Sequence, residues 1–191
     1  MPKVGMEPIR RSALVQATIQ EIGEAHSLDV TVGQITKRAG MSTALAHHYF
    51  GGKHQIFLAA MRQILSDYRA EVMRHLTKAD SPRDRAAAII TASFDQTCFT
   101  PATISAWMTL YAAARTNTET QQLLRVYQRR LRSNLTHALR GVSAQPKADA
   151  DTLAALIDGL YLRAALSQSG SAEAARASAL NTLDLLLGAP Q

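Results

Sequence analysis

Apolar side chains along this chain recur every three or four residues rather than every second one. Leu14, Thr18, Ile22 and Ala25 make one such face, and Phe57, Met61, Ile64, Tyr68 and Val72 make another. Both have the helical period, and no segment sustains the alternation of a half-buried strand, so the pattern predicts an all-α chain. Helix-start and helix-stop residues divide it. A first helix has Pro8 near its first turn and reaches about His26, and a long one follows Lys53 to about Leu76. Ser81-Pro82-Arg83-Asp84 opens a helix that ends near Phe94, and Thr100-Pro101 opens another that ends near Arg115. Thr118 with Gln121 caps a further helix that Gly141 closes. A loop with Pro146, a helix from about Asp151 to Gln168, a break at Gly170 and a helix from about Ala172 to Leu187 complete the chain.

The stretch with specific chemistry is TVGQITKRAGMSTALAHHYFGGK, from Thr31 to Lys53. Thr31 and Gln34 have capping-box spacing, Gly40 suits a helix end, and Ser42 can cap a second helix. Val32, Ile35 and Ala39 share a face, leaving Gln34, Lys37 and Arg38 to solvent. Two short helices joined by such a turn read as a helix-turn-helix. The second presents Thr43, Ala44 and Leu45 in its first turn and His47 and His48 in its second, where hydroxyls and methyl groups can meet base edges in a major groove. Tyr49 and Phe50 anchor it. Lys53 begins the next helix at a place suited to phosphate, and Lys3, Arg10 and Arg11 are further basic groups that can reach the backbone. A capped structural hairpin is the competing reading of the same residues.

The run resembles the DNA-binding domain of the tetracycline-repressor (TetR) family. The matching residues are Thr31, Ile35-Thr36-Lys37-Arg38-Ala39-Gly40-Met41-Ser42, His47-His48-Tyr49-Phe50 and Lys53. Thr36 stands for a usual alanine, Ala44 for a frequent glycine, and His47 for a frequent tyrosine that touches phosphate. The resemblance implies that Thr31, Ser42, Thr43, Ala44, Leu45, His47, His48 and Lys53 face double-stranded DNA, and that two copies of the chain meet a palindromic operator. The expected division is a DNA-binding domain over residues 1–53 and a ligand-binding and dimerisation domain over 54–191.

The last two helices support that division. Leu153, Leu156, Ile157, Leu160, Leu162 and Leu166 spread around most of one, and Leu180, Leu183 and Leu185 to Leu187 crowd the end of the other. Helices apolar nearly all round are buried on several sides, and a second copy is an economical cover. Leu156, Gly159, Leu160, Leu180 and Leu183 are the expected homodimer interface, with Gly159 admitting a close helix approach.

Composition narrows the partners. The 191 residues carry a net charge of +6, which suits a polyanion, and 47% are hydrophobic, which excludes wholesale disorder. The single cysteine, Cys98, fits a reducing cytoplasm, and neither a signal peptide nor a membrane-spanning run is visible. The six histidines show no metal-binding spacing, and no nucleophile stands with a base and orienting acid, so no metal, cofactor or catalysis is expected. Arg125, Arg129 and Arg132 form a basic face read as solvated surface.

The resemblance extends over nearly the whole chain, through MPKVGMEPIRR, FDQT, SAWMTLYAA, RRLRSNL and AALIDGLYLRAALS, to those family members that repress choline-to-glycine-betaine genes and respond to choline. It therefore implies a small cationic effector. A quaternary nitrogen donates no hydrogen bond and is held by aromatic faces and a carboxylate. Trp107 and Tyr111 at i and i+4, Asp158 and Tyr161 at i and i+3, and Phe94 with Asp95 are the expected ligand-binding residues. A repressor of an efflux gene responding to other lipophilic cations, and an all-α enzyme or interaction module with a structural hairpin, are the alternatives.

Overall fold

The computed structural model describes residues 5–25, 30–167 and 171–188. Lys3, His26, Gln168 and Gly170 lie outside them. The helices described are α1 (Met6–Ala25), α2 (Val32–Arg38), α3 (Thr43–Phe50), α4 (Lys53–Leu76), α5 (Pro82–Ser93), α6 (Pro101–Ala113), α7 (Thr118–Leu139), α8 (Pro146–Leu166) and α9 (Ala172–Leu186), with no strand among the described residues. Two starts differ from expectation. Asn117, not Thr118, caps α7 through its side chain on the Thr120 N–H, placing the cap one residue earlier. Pro146 is not in a loop but in the first turn of α8, where its missing N–H costs nothing.

One hydrophobic core runs through the molecule, from Leu14 and Ile35 near the N-terminus to Leu153, Ile157 and Leu183. Helix α4 reaches from the helix-turn-helix into the remainder, packing on α1 and α5, while α7 and α8 form the broadest helix pair. Helix α1 covers α2 with Leu14, Thr18 and Ile22, and it also lies on α6. That second packing is tight: a Cβ placed on Gly23 would stand 2.4 Å from the Ala102 Cβ and 2.6 Å from its Cα. The first helix is thus wedged between the reading hairpin and the helix that carries Trp107.

Candidate functional site

The hairpin forms by local bonds. Thr31 and Gln34 make both halves of the capping box, with the Thr31 N–H donating to Gln34 Oε1 at 2.7 Å. Gly40 takes φ 64°, a left-handed conformation that ends α2, and Ser42 Oγ accepts from the Leu45 N–H at 3.2 Å to start α3. The hydroxyls of Thr31 and Ser42 are therefore engaged in caps, although both residues are exposed. Thr43, Ala44, His47, His48 and Lys53 are exposed on the same hairpin, and Leu45 is half-buried. Thr36 is buried beneath it and donates to the Gly33 carbonyl at 3.1 Å, so the hydroxyl that replaces the usual alanine is satisfied. His47 is exposed with Nδ1 3.3 Å from the Gly51 carbonyl, so Nε2 is the ring nitrogen left for another partner. Lys53 begins α4 where no side chain caps the free N–H groups.

Two basic residues have other work. Arg38 is exposed, as expected, but is not free: it donates to Glu21 and Glu24 at 2.5 Å each, tying α2 to α1. Arg11 is no free phosphate ligand: its Nη1 donates to the Tyr49 carbonyl at 2.6 Å, and its guanidinium lies 4.5 Å from the Phe50 ring centroid. A cation on the last turn of α3 complements the helix dipole and fixes the reading helix from behind. Arg10 remains exposed.

In the larger half, aromatic rings surround a cavity of about 180 Å³, walled by Trp107, Tyr111, Tyr127, Tyr161 and Tyr68. Trp107 is the hub, its ring centroid 4.4 Å from Tyr127, 5.9 Å from Tyr111 and 6.4 Å from Tyr161. Tyr161 is fixed by its hydroxyl, which donates toward the Ser93 carbonyl at 2.5 Å and the Cys98 carbonyl at 3.1 Å. Asp67 stands exposed at the cavity lining, and Gln16 and Ile19 reach in from α1. Ring faces are negative and a carboxylate is near, so the space favours a small cation with an apolar surface.

Three expected ligand residues stand elsewhere. Asp158 does not line the cavity; its Oδ1 accepts from Tyr111 at 3.0 Å and Tyr127 at 3.2 Å, holding both rings from behind. Burial pushes the Asp158 carboxyl above the usual range, and the two phenols oppose that shift only in part. Burial also pushes the Tyr68 phenol up to about 12, with the Ser93 hydrogen bond opposing it, so the ring stays neutral. Phe94 is buried and stacks on the outer face of Tyr161 at 5.9 Å, backing the wall rather than forming it. Asp95 is turned away, paired with Arg74 at 2.9 Å and capping Thr97, because the start of that loop faces the end of α4. Tyr127, Tyr68 and Asp67 were not anticipated as ligand residues. Tyr68 sits on the apolar face of α4, so spacing alone marked it as core, and Tyr127, which shares the buried face of α7 with Leu131 and Leu135, carried no signal that singled it out.

The expected interface also divides. Leu183 is buried and Leu160 nearly so within one chain, because α9 lies on α5 and α8, so neither is available to a partner. Leu156 and Leu180 are half-buried, Leu162 is 48% and Leu166 80% exposed, and a Cβ on Gly159 would meet nothing within 4 Å. An apolar stripe on α8 therefore stays uncovered in the single chain. Arg132 is paired with Asp151, which removes it from the free basic face of Arg125 and Arg129.

The chain matches two families in sequence. Residues 14–60 fit the bacterial regulatory proteins of the tetR family, and residues 82–188 fit the C-terminal domain of BetI-type transcriptional repressors. It is 48% identical over 168 residues to the HTH-type transcriptional regulator BetI of Brucella anthropi, covering 87% of each chain. With the regulator of the same name from Agrobacterium fabrum it shares 47% over 168 residues, 87% of this chain and 82% of that one. Among solved structures, a TetR-family regulator from Rhodococcus superposes with a TM-score of 0.81 at 24% identity, over 93% of this chain and 98% of that one. A transcriptional regulator from Saccharomonospora viridis, solved in complex with choline, superposes with a TM-score of 0.81 at 20% identity, over 92% and 95%. At such identities these structures speak for the fold.

Proposed function

This chain belongs to the TetR family of bacterial regulatory proteins, in its BetI-type branch of DNA-binding transcriptional repressors rather than enzymes, and we propose that choline is the ligand that switches it. Residues 1–53 read a palindromic operator, with Thr43, Ala44 and His48 toward base edges and Lys53 and His47 Nε2 toward phosphates. Residues 54–191 hold the effector and a second copy of the chain, which meets the stripe on α8 formed by the half-buried Leu156 and Gly159 and the exposed Leu162 and Leu166. The observation that carries the choline reading is the cavity walled by Trp107 and four tyrosines with Asp67 at its lining. Its volume, about 180 Å³, is of the order that accepts a ligand of benzene size, for which about 150 Å³ suffices in an apolar cavity. Each well-placed ring contributes about 0.5 to 2 kcal/mol to holding a quaternary ammonium.

The switch follows from α1. Gln16 and Ile19 touch the cavity, Gly23 is wedged on α6, and Arg11 and the Arg38 pairs bind the same helix to α3 and α2. A ligand that prefers one setting of α6 against α1 therefore resets both reading helices, and only that difference in affinity moves the operator equilibrium. Calorimetry with choline and with its neutral isostere 3,3-dimethylbutan-1-ol tests the reading. Choline should bind more tightly and release operator DNA; equal affinities for the two ligands, or binding without release, would refute it.

A further inference from the structure

A second concavity, of about 890 Å³, runs between α4, α5 and α7 on the far side of Tyr68 and Tyr127 from the aromatic cavity. Its floor is apolar, formed by Leu65, Val72, Leu76, Val126 and Leu131, and Met73 stands on it 55% exposed. Its charged lining is of one sign, with Ser133 and Asn134 as neutral polar neighbours. Arg69, Arg85, Arg130 and Arg140 surround the floor with His137, and no carboxylate lines it. None of the four arginines has an ion-pair partner among the described residues, whereas Arg11, Arg38, Arg74, Arg83 and Arg132 are all paired.

Four unpaired guanidinium groups around an apolar trough repel a cation such as the one that suits the aromatic cavity, and they attract an anion. A flat anionic bilayer does not enter a concavity, and a nucleic-acid backbone has no use for a leucine floor. The volume lies within the range of small-molecule sites, about 300 to 1,000 Å³. From Leu65 to Leu76 the floor follows eleven residue steps of α4, about 16 Å at the helical rise, a length suited to one extended acyl chain. We propose that this trough is a second ligand site, for a long-chain fatty-acid carboxylate whose tail lies on the leucine and valine floor and whose head pairs with the arginines.

The test is calorimetry of the full-length protein with myristate, below its aggregation threshold and with choline in excess so that the aromatic cavity is occupied. One saturable site per chain is expected. Dodecyltrimethylammonium, which carries the opposite head charge, should not compete, and inorganic phosphate, which lacks the tail, should not displace it. Arg69→Glu with Arg130→Glu should weaken myristate by about tenfold or more, since charge-assisted pairs are lost and repulsion replaces them. Both residues are exposed, and Met73→Glu, equally exposed, places a carboxylate on the floor as an independent variant with the same expected loss. No saturable binding, parent-like binding in both variants, or equal competition by the cationic amphiphile would overturn the assignment; the last two would show simple hydrophobic adsorption. Protection of the trough by an acidic helical peptide in place of myristate would also overturn it, in favour of a protein partner. Because choline fills the other cavity throughout, a failure here leaves the choline reading intact.

Discussion

Replacing Gly23 with alanine drives one methyl group into the joint between α1 and α6. The new Cβ would lie 2.4 Å from the Ala102 Cβ, 2.6 Å from its Cα and 3.4 Å from its nitrogen. Carbon atoms rest at about 3.5 to 4.0 Å, so the helices must part by about 1 Å, and two of the three opposing atoms are backbone that cannot rotate aside. Overpacking of this kind costs about 1 to 3 kcal/mol. Alanine recovers about 0.8 to 1 kcal/mol of helix propensity over glycine. At a separation as short as 2.4 Å the overpacking lies in the upper part of that range, about 2 to 3 kcal/mol, so the clash wins by about 1 to 2 kcal/mol, which for a chain of this length lowers Tm by roughly 2 to 8 °C. Thermal melts at one fixed protomer concentration measure it, since assembly itself raises Tm. Ala102→Gly added to the variant should restore part of the loss, because the opposing methyl group is removed while the backbone carbon of residue 102 still crowds the new one. Parting α1 from α6 also displaces Gln16 and Ile19 at the cavity, so choline should change operator affinity less in the variant than in the parent. A Tm at or above the parent's would refute the wedge. A lowered Tm with undiminished coupling would make the joint structural only and remove it from the switch.

Thr43→Ala should weaken operator binding selectively by gel shift, and Lys53→Ala should weaken binding to all sequences while reducing the salt slope by about one unit; parent-like affinity or slope removes either residue from the footprint. Trp107→Ala should lose about 1 to 3 kcal/mol of choline binding by calorimetry while unliganded operator binding persists. Because Trp107 is buried, about 3 to 5 kcal/mol of stability goes with it, so Trp107→Phe is the control that keeps the fold and weakens choline less; parent-like choline affinity in both returns the residue to the core. The folded-state pKa of Asp158 is raised above its unfolded value, so its contribution favours the fold at acid pH and falls as pH rises from the usual carboxylate range through the raised value. Choline affinity should rise over that same window as the carboxylate ionises. Asp158→Asn should flatten both pH dependences, and unchanged profiles would disconnect Asp158 from the cavity. Gly159→Leu has open space within one chain, so the monomer fold should hold while sedimentation shows less dimer; an undiminished dimer would move the interface away from α8.

What the sequence determined by itself was local. The capping box at Thr31 and Gln34, the caps at Ser42, Ser81 and Thr100, and the left-handed Gly40 act within three residues of where they stand. Helix limits and the hairpin were therefore legible, and errors at Asn117 and Pro146 moved a start without changing an element. The membership of Trp107, Tyr111 and Tyr161 in one aromatic group followed from resemblance and spacing together. The tertiary structure alone decided which polar group faces which space. Asp158 meets phenols 31 and 47 residues away, and Asp95 is held by Arg74, 21 residues earlier in the chain. Periodicity marks a residue as inward without naming what it meets, so Tyr68 read as core, Leu160 and Leu183 read as interface, and Tyr127 was not singled out. The packing of α7 on α8 and of α9 on α5 sets those partners, because a helix presents the same apolar stripe whether the cover is its own chain, a cavity or a second copy.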